Sequence, residues 1–179
     1  MALTATIYTF TIDLSDMDRS VYATFDLRVA QQPSETTEYM LSRVLAYCLE
    51  YAEGITFTQG IAAGQEPAIA IRDLTGQLTA WVDVGMPDAD RLHRASKSAE
   101  RVAIYTHRSV AMLKQQLAGK TIHRAAEIPI YEFERPLLDT LARAVERRTT
   151  LGIVVTEGQL YIEVAGQSIS GRVIEHHIQ

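Results

Sequence analysis

A chain of 179 residues, 47% apolar, can bury one substantial core but not two, so a single domain spanning residues 1–179 is expected. Its net charge of −5 would repel a polyanion if the bases were evenly spread, but residues 1–90 hold 13 acids and 4 bases, residues 91–124 hold 1 acid and 8 bases, and residues 125–179 hold 8 acids and 5 bases. Cys48 is the only cysteine, which excludes an intrachain disulfide and a cysteine-based zinc site. With no leader-like start and no apolar run long enough for a bilayer, a soluble cytoplasmic protein is expected, its oligomeric state left open.

Residues 3–14 and 20–29 read as two strands closed into a hairpin by Ser15 to Arg19, the second alternating Val21, Ala23, Phe25, Leu27 and Val29 against polar neighbours. Pro33-Ser34-Glu35 predicts a helix start, with Ser34 as N-cap and Glu35 at the positive end of the dipole. A stripe through Met40, Leu41, Val44, Leu45 and Cys48 carries that helix to about Glu53, where Gly54 stops it. Cys48 on that stripe reads as a small buried hydrophobe.

After Ile55-Thr56-Phe57 and a small-residue loop from Gly60 to Gly64, two strands at 67–72 and 78–84 are joined by a turn at Thr75-Gly76-Gln77. A helix at 88–99 begins with Asp88 and Asp90 and spaces Arg91, Arg94, Lys97 and Arg101 by three or four, which gathers positive charge on one side. A strand at 102–105, a helix at 109–117 and a strand at 128–133 then form a strand–helix–strand unit. A helix at 136–145 follows, and three antiparallel strands at 150–156, 159–164 and 167–175 turn at Glu157-Gly158 and Ala165-Gly166. His176-His177 reads as a solvated tail, and none of the five histidines has a metal-ligand spacing.

Glu66 at the start of one strand and Asp83 at the end of its neighbour are a candidate divalent-metal pair, because two carboxylates on adjacent strands hold a hard cation while leaving room for water and a phosphate. Arg94 and Lys97 on the following helix would stabilise charge on that phosphate. An ordinary Glu66–Arg94 or Asp83–Arg94 ion pair accounts for the same residues. Trp81, the only tryptophan, shares the strand face of Asp83, and Gly85 and Pro87 shape the loop that follows.

Pro33-Ser34-Glu35-Thr36, Glu66-Pro67, Trp81-Val82-Asp83-Val84-Gly85-Met86-Pro87, the basic stretch ending Arg94-Ala95 and the opening Met1-Ala2-Leu3-Thr4-Ala5-Thr6-Ile7-Tyr8 resemble, in order and spacing, the YaeQ family of bacterial proteins. The resemblance covers essentially the whole chain. It implies a variant of the PD-(D/E)XK restriction-endonuclease-like fold: a mixed α+β (α/β) domain with a central mixed sheet flanked by helices and extra antiparallel hairpins, in a family without an established activity. Carried over residue by residue, it implies Glu66 as first acid, Asp83 as second acid and Glu35 as the acid from the first helix. Glu35, Glu66 and Asp83 would then hold Mg2+ or Mn2+.

The lysine expected two positions after the second acid is replaced by Gly85, leaving Arg94 as a migrated cation that can stabilise charge but cannot act as a general base. Two expectations follow. One is metal-dependent phosphodiester hydrolysis or nucleic-acid binding, with Glu66, Asp83, Arg94 and Lys97 as the working residues and residues 91–124 as the nucleic-acid contact. The other is a non-enzymatic binding module on a degenerate nuclease fold.

Overall fold

A computed structural model describes residues 4–58 and 66–178, so the expected loop from Gly60 to Gly64 lies outside the described residues. The fold is mixed α/β, with four α-helices among the described residues, and the chain divides into two compact units: residues 1–44 with 133–174, and residues 45–132 with 175–179.

In the first unit, β1 (Thr6–Asp16) and β2 (Val21–Gln31) form the expected hairpin. β1 also runs parallel to β8 (Arg148–Thr156), which continues antiparallel through β9 (Gln159–Val164) into β10 (Gln167–His177). Strict alternation buries Phe10, Ile12 and Leu14 on β1, Leu151, Ile153 and Val155 on β8, and Leu160, Ile162 and Val164 on β9. The turns at Glu157-Gly158 and Ala165-Gly166 have positive φ at both central residues, which matches the right-handed twist of the strands they join. The carboxylate of Asp18 accepts from the backbone N–H groups of Glu157 at 2.7 Å and Gly158 at 3.0 Å, tying two hairpin ends together. Helix α4 (Arg135–Ala144) buries Leu137, Leu138 and Leu141 in this unit.

In the second unit, β3 (Ile55–Phe57), β4 (Ile69–Arg72) and β5 (Leu78–Val84) are antiparallel. β6 (Arg101–Thr106) and β7 (Pro129–Phe133) then add in parallel, each reached through a crossover helix, α2 (Ala89–Ser98) and α3 (Val110–Leu117). Trp81, Val102, Ile104 and Ile130 point to the face that these helices cover, where Leu92, Ala95, Val110, Leu113 and Leu117 complete a core. By the same alternation Asp83, two residues after Trp81 and opposite Ile104, belongs to that helix-covered face.

Three local expectations are corrected. Helix α1 (Thr37–Leu49) is capped by Thr36, whose side chain accepts from the Tyr39 N–H at 3.0 Å; Ser34 and Glu35 precede the helix. The helix also ends at Leu49, short of Glu53, and Gly54 serves β4 instead. Its carbonyl accepts from the Arg72 N–H at 3.1 Å, and with φ +88 a Cβ there would lie 1.9 Å from the Arg72 carbonyl oxygen. His176 and His177 are not a loose tail: both belong to β10, and His176 Nε2 sits 3.1 Å from Glu132 Oε1.

Candidate functional site

Asp83 occupies the penultimate position of β5, and Gly85, with φ +104, carries the chain out of the sheet toward α2. Asp88 then caps α2, its carboxylate accepting from the Arg91 N–H at 2.8 Å. This fixes Arg91 in the first helical turn. Helical side chains lean toward the N-terminus, so Arg91 reaches back to the end of β5 while Arg94 and Lys97 lie further along the helix.

The result is a two-pronged ion pair. Arg91 Nε donates to Asp83 Oδ2 at 2.8 Å and Nη2 donates to Asp83 Oδ1 at 2.9 Å; the same Nη2 donates to the Glu66 carbonyl oxygen at 2.5 Å. The Asp83 side chain is only 4% exposed, against 23% for Arg91. Arg91 Cζ also lies 5.4 Å from the centroid of Trp81, near enough for its charge to be drawn to the ring face. Trp81 Nε1 is buried and has no hydrogen-bond partner among the described residues.

The residues named from sequence are therefore brought together in part. Glu66, just upstream of β4, contributes its backbone carbonyl beside Asp83, and its residue is exposed. Arg94 and Lys97 are exposed on α2 and have no ion pair among the described residues. Glu35 belongs to the first unit, where its carboxylate accepts from Arg43 Nη2 at 2.7 Å, with Arg43 also donating to the Ala30 carbonyl at 2.8 Å. The Asp83 partner missed from sequence is Arg91; its signal was a position one turn closer to the Asp88 cap than Arg94.

A Mg2+ or Mn2+ ion takes about six oxygen ligands and tolerates little competition at them. Among the described residues no group of three or more acids, histidines or cysteines is placed to hold a metal, and residues 59–65 contain none of these types. An ion bound to Asp83 would moreover sit against a guanidinium. Two unit charges 4 Å apart near a protein surface interact by about 4 kcal/mol, so a divalent ion beside Arg91 meets a repulsion of about twice that. With Arg91 in place the residues do not fit the metal.

The basic segment 91–124 also divides. Arg101 holds Glu50 through two bonds of 2.6 and 3.1 Å. Burial alone pulls the Arg101 pKa down, but the bonds and charge of Glu50 more than offset this and raise it. Arg124 donates to the carbonyls of Ser96 at 2.6 Å, Ala99 at 2.9 Å and Glu100 at 3.1 Å, closing the C-terminal end of α2. Arg94, Lys97, Arg108 and Lys120 are left exposed, and the His123 N–H, donating to His93 Nδ1 at 3.0 Å, draws the segment around Lys120 against α2. No helix among the described residues is long and apolar enough to cross a membrane.

Fold and site together define a mixed α/β protein whose parallel β5–α2–β6–α3–β7 run carries a buried carboxylate fork at the head of α2. A family model described as "YaeQ protein" matches residues 1–173, and the chain belongs to the YaeQ family. It is 33% identical over 165 residues to the Escherichia coli (strain K12) protein described as "Uncharacterized protein YaeQ", covering 90% of each chain. It superposes with a TM-score of 0.87 on the YaeQ crystal structure from Pseudomonas syringae, at 29% identity and covering 96% of this chain and 95% of the other. The YaeQ structure from Xanthomonas axonopodis pv. citri gives a TM-score of 0.87 at 26% identity, covering 97% and 99%.

Proposed function

We propose that this YaeQ-family protein is a nucleic-acid-binding module on a PD-(D/E)XK-like scaffold, holding phosphates along the exposed basic side of α2 without hydrolysing them. The observation that carries this reading is the Asp83 fork: the carboxylate that a nuclease would direct at a metal is committed to Arg91, while Arg94 and Lys97 on the same helix face solvent. Gly85 in the lysine position supports it, since no general base stands beside Asp83. Arginine and lysine suit this role because a phosphodiester is read first as charge.

The test is to incubate the intact protein with labelled single- and double-stranded DNA and RNA, with and without Mg2+ or Mn2+, following complex formation and strand length together. A complex that forms on intact strands and weakens in the Arg94→Ala/Lys97→Ala variant is the expected result. Metal-dependent cleavage that Asp83→Ala abolishes would establish the competing reading, metal-dependent phosphodiester hydrolysis. That alternative is favoured by one feature, the convergence of Asp83 and the Glu66 carbonyl at a single cation.

A further inference from the structure

Successive residues of a strand direct their backbone groups to opposite sides, so the bonds that β1 makes to β8 fix which groups of β2 are left over. Thr9 and, just past the strand, Met17 donate their N–H groups to the carbonyls of Arg147 and Val155, both at 2.8 Å. The odd-numbered residues of β1 therefore bond toward β8 and the even-numbered ones toward β2. Because Phe10 pairs with Leu27 and Ile12 with Phe25, β1 consumes the backbone groups of the odd-numbered residues of β2. The N–H and C=O groups of Tyr22, Thr24, Asp26 and Arg28 point off the sheet, which ends at β2. None of these four makes a backbone hydrogen bond to another element among the described residues. The next outward group is taken: Arg43 Nη2 donates to the Ala30 carbonyl at 2.8 Å and is held by the Glu35 carboxylate at 2.7 Å. The open edge thus runs from Tyr22 to Arg28 and is symmetric about Phe25. Its register with β1 is unbroken and it contains no proline, so neither a bulge nor a missing N–H blunts it. We infer that β2 is a self-association edge: two copies of the chain pair antiparallel about a two-fold axis at Phe25, joining their sheets.

That register sets Tyr22 opposite the second copy's Arg28 and Thr24 opposite the second copy's Asp26, each pair exchanging two backbone bonds, about eight in all. All four side chains are exposed, and the pairs they form are a ring with a guanidinium and a hydroxyl with a carboxylate. On the other face half-buried Phe25 meets its own copy and Ala23 meets Leu27, so every pair there is apolar. One acid and one base leave the open edge neutral, and a second copy meets no like charge directly opposite. Neighbouring registers are worse: a two-fold at Asp26 sets that carboxylate against itself, and one at Leu27 needs the Ala30 carbonyl that Arg43 holds. The edge lies wholly in the first unit, and the inference does not depend on nucleic-acid binding by α2.

The test is sedimentation velocity on the full-length protein, without nucleic acid, over a concentration series that yields a dimer dissociation constant. Thr24→Pro removes an outward N–H and leaves the bonds to β1 intact, so it should weaken the dimer. Tyr22→Arg sets a guanidinium against the second copy's Arg28 twice by symmetry and should weaken it about tenfold. Adding Arg28→Glu to Tyr22→Arg makes both contacts attractive again and should restore the affinity of the unaltered protein. Tyr22 is 63% exposed, so Tyr22→Arg carries the test even if Thr24→Pro disturbs the fold. An unaltered protein that stays monomeric up to its solubility limit overturns the inference, as does a dimer that a folded Tyr22→Arg leaves unchanged. Failure of Arg28→Glu to rescue Tyr22→Arg contradicts the register centred on Phe25. The Arg94→Ala/Lys97→Ala variant should dimerise as the unaltered protein does, which separates this test from that of nucleic-acid binding.

Discussion

A single choice among three bases on α2 decides what Asp83 can do. Arg91, Arg94 and Lys97 follow one another at intervals of three, and in the sequence they are interchangeable as partners for the acid. That Glu66 and Asp83 approach one strand end was legible from the hairpin register, but it is the Glu66 carbonyl, not its carboxylate, that meets the Asp83 partner Arg91. The role of Arg91 was not legible, because its advantage lies in where Asp88 starts the helix and in the backward lean of a first-turn side chain. The pair is buried on the carboxylate side, so Asp83→Ala leaves a guanidinium facing empty acceptor positions and should lower unfolding free energy by about 3 kcal/mol, as measured by urea denaturation. A double-mutant cycle with Arg91→Ala should recover a large part of that loss as coupling, which an independent surface pair would not. Gly54→Ala should also destabilise, by at least about 1 kcal/mol, since both its φ of +88 and the Arg72 carbonyl at 1.9 Å exclude a side chain.

The order and type of the elements were readable from apolar periodicity, but several boundaries were not. Pro33-Ser34-Glu35 offers a plausible start for α1, yet the chain begins the helix after Thr36, and the Glu35 carboxylate goes to Arg43 rather than to the helix dipole. Two hydroxyl residues compete for one cap, and a contact eight residues away accompanies the choice. The β4–β5 turn was legible because it is local: Asp73 Oδ1 accepts from the Thr75 N–H and hydroxyl and from the Gln77 N–H.

The Thr75 hydroxyl first, then the Gln77 N–H, hold the Asp73 pKa below its ordinary 3.8. A carboxylate with a depressed folded pKa stabilises above its unfolded value and loses that contribution as pH falls through the folded one. An NMR titration should therefore place the Asp73 midpoint below 3.8, with its turn bonds weakening only under more acid conditions. On α2, Asp88→Ala should remove the cap at a cost of about 1 kcal/mol in urea denaturation. It should also shift Trp81 emission, because the turn that holds Arg91 over the ring loses its anchor.

Across the whole chain, composition pointed to the basic segment 91–124, yet only part of it is available for binding. Arg91, Arg101 and Arg124 serve Asp83, Glu50 and the end of α2, work that is invisible in a charge count because each partner is distant in sequence or is a backbone carbonyl. Exposed Arg94, Lys97, Arg108 and Lys120 are what a phosphate backbone could meet. Membership of the YaeQ family and close superposition on two YaeQ crystal structures fix the fold. The division of labour on α2, with Arg91 turned toward Asp83 and its two successors exposed, is what the proposed binding role rests on.

The most direct measurement is the affinity for a fluorescent nucleic-acid strand across a salt series, for the unaltered protein and Arg94→Ala/Lys97→Ala. Each phosphate contact contributes about 0.9 to the slope of log affinity against log salt for duplex DNA, or about 0.7 for single strands. Losing two contacts should flatten the slope by nearly two or by about 1.4, with the strand recovered uncut in Mg2+. An unchanged slope, or a strand cut by the unaltered protein and spared by Asp83→Ala, would contradict it.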